Sequence, residues 1–121
     1  MKYLAIVGSR TVPLDKYPLF EHIITETMEK YNCDKLVSGG ANGADKYAEI
    51  YAEKYNVPIK IFKPDWNKYG KSAGFVRNKD IIRICEVCIA IWDCKSKGTK
   101  MDIDLCKEYQ KPCIIYTFSL K

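Results

Sequence analysis

Five short apolar, β-rich runs alternate along this chain with longer amphipathic ones, and no other feature restricts the fold as strongly. The first run, Leu4 to Val7, ends at Gly8. The second, Lys35 to Ser38, is broken by Gly39 and Gly40. Pro58 opens the third, Ile59 to Phe62, where a missing N–H does least harm. Val87 to Trp92 and Pro112 to Phe118 complete the set. Between them, Tyr17, Phe20, Ile23, Ile24 and Met28 recur at three- and four-residue spacing, which predicts a helix from Leu14 or Asp15 to Tyr31. The same spacing predicts helices from about Gly43 to Tyr55, from about Ala73 to Cys85, and from Gly98-Thr99 to about Gln110. Lys63 to Ser72 follows neither period and reads as a long loop, a kind of segment that is often functional in compact domains.

The order βαβαβαβαβ with right-handed crossovers specifies an α/β, Rossmann-like, doubly wound parallel sheet of five strands, order 3-2-1-4-5, with about four helices. Such sheets bind ligands outside the carboxyl ends of the strands where the winding reverses, here between the first and fourth strands. With 121 residues, the expectation is a single domain over 1–121. A composition 47% hydrophobic and 29% charged excludes disordered and collagen-like chains. No apolar stretch approaches the ~20 residues of a membrane span and no secretion leader is recognisable, so a soluble, cytoplasmic protein is expected. In a reducing compartment its six cysteines are expected to stay free. Cys85 and Cys88 have CxxC spacing without a second pair, so no metal site is expected, and buried thiols commonly behave as small hydrophobes. His22 reads as a packed or surface residue on the first helix.

Three glycine-bearing turns fall where the switch-point rule selects: Gly8-Ser9-Arg10, the run Ser38-Gly39-Gly40-Ala41-Asn42-Gly43-Ala44-Asp45, and Gly98-Thr99. Glycine lets backbone approach a ligand closely, and each following helix points unpaired N–H groups at an anion. One such turn alone is explained by chain reversal. Three converging on one edge imply a phosphate-bearing ligand. The second run lacks the Lys-Ser/Thr of a P-loop, and GxGxxG is absent, so neither an ATPase nor a standard dehydrogenase is supported. The net charge of +5 is compatible with a nucleotide or nucleic acid without selecting either.

Val7-Gly8-Ser9-Arg10, SGGANGAD at 38–45, DWNKYGKSAGFVRNKDI at 65–81 and Gly98-Thr99 together resemble the SLOG superfamily, which joins the Smf/DprA DNA-processing proteins to the LOG-type phosphoribohydrolases. The likeness is to its small, single-domain YspA-like branch. It implies a Rossmann-like fold that binds nucleotides or nucleotide-derived molecules. Some members hydrolyse the N-glycosidic bond of a nucleoside monophosphate; others sense NAD-derived or cyclic-nucleotide signals in antiphage defence. It also implies a homo-oligomer. By the same resemblance Gly8, Ser9 and Arg10 form one ligand wall and Gly39, Gly40, Gly43 and Asp45 another. Arg77 and Asn78 stand at the enzymes' Arg-Lys pair, Thr99 at the Thr of Gly-Thr-x-x-Glu and Asp102 at its glutamate. Cys94 to Gly98 replaces the enzymes' Pro-Gly-Gly run, and the glutamate is shortened to aspartate.

Several residues carry two readings. Arg10 and Arg77 suit phosphate through the planar guanidinium fork, while Arg77 also stands at helical spacing from Asp80. Asp102 is the candidate catalytic carboxylate of a hydrolase, or a first-turn acid favoured by the helix dipole. Trp66 and Tyr69 either cover a base or anchor their loop. The resulting expectation is a module holding a nucleotide, NAD-derived or cyclic signal, as sensor or sponge, with no cofactor. The alternatives are a phosphoribohydrolase using Asp102 and Arg77, and single-stranded nucleic-acid binding.

Overall fold

The computed structural model describes residues 2–118. Five parallel strands, β1 (Tyr3–Gly8), β2 (Lys35–Ser38), β3 (Ile59–Ile61), β4 (Cys85–Trp92) and β5 (Cys113–Thr117), form one sheet in the order β3-β2-β1-β4-β5. This is the predicted topology. Four long helices cross over it: α1 (Tyr17–Lys30), α2 (Ala44–Tyr55), α4 (Ala73–Ile84) and α5 (Lys97–Glu108). None of the helices among the described residues is long and apolar enough to cross a membrane.

Alternation along β1 divides the core. Leu4 and Ile6 join Phe20, Ile24, Tyr47 and Tyr51 under α1 and α2, while Ala5 and Val7 join Ile81, Ile82, Ile103 and Cys106 under α4 and α5. β4 is covered on both faces, so every residue from Val87 to Ile91 is buried, the continuous apolar run that parallel sheets require. Pro18 stands in the first turn of α1, where its missing N–H costs no helical bond. α1, α2 and α5 are followed by Asn32, Asn56 and Gln110 in the left-handed region, and Cys33, Val57 and Lys111 donate back to carbonyls of the last turn.

Two segments depart from expectation. The stretch 63–72 is not an irregular loop: it holds a one-turn helix, α3 (Trp66–Tyr69), capped by Asp65, whose carboxylate accepts from the Lys68 N–H at 3.1 Å, and then a 3-10 turn at Gly70–Ser72. A single turn is too short to display a hydrophobic period. Cys85 belongs to β4 and not to the preceding helix. The pairing moves from Tyr3–Cys85 to Leu4–Val87, leaving Glu86 as an extra, exposed residue, so helix passes into strand with no connecting loop.

Candidate functional site

α1 and α2 lie on one face of the sheet and α4 and α5 on the other, so the winding reverses between β1 and β4. At the carboxyl ends of those strands lies a cavity of about 320 Å³. Gly8, Ser9, Arg10, Asp45, Arg77, Asn78, Gly98, Thr99 and Asp102, all singled out in the sequence, line it, with Thr11, Ala41 and Ser96. A second, more open cavity of about 580 Å³ adjoins it, sharing Arg10, Ala41 and Arg77 and adding Gly39, Gly40, Asn42, Lys63, Pro64 and Trp66.

Gly43 and Ser38 line neither of these two cavities. Ser38 is fully buried at the end of β2. Gly43 has φ +76°, and a Cβ there would stand 2.6 Å from the Arg10 carbonyl carbon. Its role is to let α2 start directly against the turn after β1, where the Ala44 N–H donates to the Ser9 carbonyl at 3.3 Å.

Arg77 organises the floor. From α4 its Nη1 donates to the Gly39 carbonyl at 2.9 Å and its Nε to the Asn78 side-chain oxygen at 2.8 Å. Among the described residues it makes no ion pair with Asp80, so the helical-spacing reading is not realised. Glycine at 39 leaves room for this contact, because a Cβ there would fall 2.5 Å from Arg77 Nη1 and push the guanidinium aside. Asp45 faces the same guanidinium from α2 and accepts from the Ala41 N–H at 3.0 Å, holding the glycine run in its turn.

Asp45 and Asp102 are both buried. Burial pushes the Asp45 carboxyl up against the opposing pull of the Ala41 N–H and Arg77. The effect on Asp102 is larger: burial first, then the charge of Asp45, push it up to about 8, with Arg77 opposing. One Asp102 oxygen is buried without a hydrogen-bond partner in the protein. At neutral pH Asp102 is therefore mostly a carboxylic acid, able to donate a hydrogen bond and free of the charge that would repel an anion.

Asp93, just past β4, was missed by the sequence reading. Its carboxylate accepts from the Lys95 and Ser96 N–H groups at 2.9 and 2.7 Å, from the Ser96 hydroxyl at 3.0 Å and from the Thr11 hydroxyl at 3.2 Å. The Ser96 N–H leads the interactions that hold it well below the usual carboxylate range. Its own N–H donates to Ser9 Oγ at 3.1 Å. One side chain thus fastens the turn after β1 to the turn before α5. Only an Asx-turn pattern, Asp93 followed by Ser96, could have signalled it. Lys63 was also missed, though it follows β3 at the same edge.

The aromatic candidates separate. Trp66 is 57% exposed on the wall of the second cavity, whereas Tyr69, under the Lys68 ammonium, lines neither cavity. Trp92, at the end of β4, lines neither cavity, and its indole N–H donates to the Ser96 carbonyl at 3.0 Å. His22 is on the surface, 2.8 Å from Glu26.

Comparison with known proteins agrees with this fold. The structure resembles that of DNA processing protein A from Helicobacter pylori, a protein studied for its single-stranded DNA binding mode. The TM-score is 0.73 at 22% identity, over 94% of this chain and 64% of the other, so this chain spans less than two thirds of that protein. In sequence it is 33% identical over 106 residues to the gene 61 protein of Mycobacterium phage D29, covering 83% of this chain and 84% of the phage protein. The model of the YspA, cpYpsA-related SLOG family matches residues 5–69, more than half of the chain, from β1 through the glycine run to α3. Fold, glycine-run placement and sequence match agree, and the chain belongs to the YspA, cpYpsA-related SLOG family.

Proposed function

We propose that this protein binds a phosphate-bearing nucleotide, or a molecule derived from one, at the β1–β4 edge, holding it as a sensor or sponge. The observation that carries this reading is the meeting of Arg10, Arg77 and the first turn of α5 on one cavity, where of the two buried acids that line it Asp102 is mostly uncharged at neutral pH and Asp45 is engaged by the Ala41 N–H and Arg77. The phosphate lies between the two arginines and the Gly98–Thr99 turn. The rest of the ligand reaches the second cavity, where Trp66 offers a stacking face. Family membership supports the ligand class; the choice of an NAD-derived or cyclic signal, a place in phage defence, self-association and a cytoplasmic location belong to the proposal.

The chemistry favours holding over cleaving. A carboxyl that stabilises an oxocarbenium-like transition state must be ionised, and burial keeps Asp102 mostly protonated at neutral pH. The deciding assay incubates the protein with nucleoside monophosphates, NAD, ADP-ribose and cyclic nucleotides and analyses the small molecules before and after heat denaturation. Intact ligand returned on heating is expected. Free base accumulating beyond one equivalent would replace this reading with a phosphoribohydrolase.

A second reading, single-stranded nucleic-acid binding, is favoured by the exposed Trp66 on the open cavity that Arg10 and Lys63 also line. Its signature is an affinity that falls steeply with salt. Absence of oligonucleotide binding at low salt removes it.

A further inference from the structure

Three of the six cysteines meet away from the ligand edge. Cys88 on β4 and Cys113 on β5 are paired across the parallel ladder, and Cys106 on α5 packs over them. Their three sulfurs all lie within 4.8 Å of one another. Cys88 and Cys106 are fully buried, while Cys113 is half-buried and leaves one side of the group near the surface. Cys85, the CxxC partner of Cys88, is not a member: its thiol donates to the Ile82 carbonyl at 3.2 Å. The group arises from strand register and helix packing, not from sequence spacing.

We propose that Cys88, Cys106 and Cys113 form a three-sulfur site for a soft trivalent ion of the arsenite class. Bond lengths of about 2.3 Å, typical of metal–thiolate bonds, place three sulfurs around a pyramidal trivalent centre about 3.5 Å apart, so closing the group from within 4.8 Å needs at most about 1.3 Å of adjustment per pair. The surroundings choose the charge. Among the described residues no fourth cysteine, histidine or carboxylate joins the group, and the second core cluster around it is apolar. Three thiolates around a monovalent ion would bury two net negative charges, and around a divalent ion one. A trivalent ion leaves none, which is the state such an interior accepts. The reaction is a ligand exchange: As(OH)₃ and three thiols give three As–S bonds and three waters, with arsenic and sulfur unchanged in oxidation state.

The test incubates the reduced, folded full chain with sodium arsenite under anaerobic conditions and measures the intact mass. The expected product is one adduct equal to arsenic less three hydrogens, with Cys88, Cys106 and Cys113 protected from alkylation and a raised Tm. Cys113→Ala, at the half-buried position, is expected to lose the adduct while remaining folded by circular dichroism, whereas Cys33→Ala, Cys85→Ala and Cys94→Ala keep it. No adduct on folded protein, or an adduct that survives Cys113→Ala, overturns the site. Displacement of arsenite by equimolar cadmium(II) at the same three thiols overturns the choice of a trivalent ion.

Discussion

Arg77 holds the Gly39 carbonyl with one guanidinium nitrogen and the Asn78 side chain with another, so its orientation is set before any ligand arrives. Replacing it by Met removes the charged donor, and charge-assisted bonds worth about 1.5–3 kcal/mol correspond to a loss of roughly 10- to 100-fold in affinity. Calorimetry with the nucleotide retained in the assay above measures it. Gly39→Ala places a Cβ against the guanidinium end, which is flexible, so the domain is expected to stay folded with weakened binding. Asp102 supplies a pH test. Its folded value of about 8 lies above the ordinary 3.8, so the folded state binds the proton more tightly than the unfolded chain. The stability this contributes is complete below 3.8 and is lost as pH rises to about 8. Asp102→Asn is expected to flatten that decline, seen as a smaller drop in the denaturation midpoint between pH 5 and 8 than in the wild type, to the extent of this one group. An unchanged slope would locate the titration elsewhere.

Among elements, β4 bears most of the structural weight. It touches β1 and β5, receives side chains from both helical layers, and ends at the edge where the cavity lies. Ile89, fully buried at its centre, is expected to cost about 2–5 kcal/mol when truncated to Ala, read from urea unfolding, and the ligand edge should be lost only with the fold. The apolar run of β4 from Val87 to Trp92 was legible because its length and composition are distinctive, while its start at Cys85 was not, because the helix passes into it without a loop. The switch point was legible too, because the order of strands and helices leaves few topologies once crossovers are right-handed. What the sequence did not reveal depends on contacts between distant segments. The Asp93 clasp joins residues 82 apart. The Cys88–Cys106–Cys113 group needs the β4–β5 register and the roll of α5, neither of which periodicity reports. α3 escaped because four residues complete only about one turn. Of the site, the glycine run was recognised through its density, but two of its members, Ser38 and Gly43, serve the packing beneath the cavity.

For the molecule as a whole, a ligand that occupies the edge joins α2, α4 and α5 through the loops that line it. Binding only the folded state, it should raise stability by about 2.7 kcal/mol at a hundredfold excess over Kd, observable as a concentration-dependent Tm. Trp66→Ala is expected to weaken binding by about 1–3 kcal/mol, the cost of one lost stacked base, without unfolding the domain, because Trp66 is exposed and contributes little to folding. The Asp93 clasp bears on timing. Because one carboxylate already ties the turn after β1 to the turn before α5, the rim of the cavity is set during folding, not at encounter. Association should then follow a single step whose observed rate rises linearly with ligand concentration in stopped flow, with no plateau from a preceding closure, and differences in affinity between ligands should appear in how long each one stays.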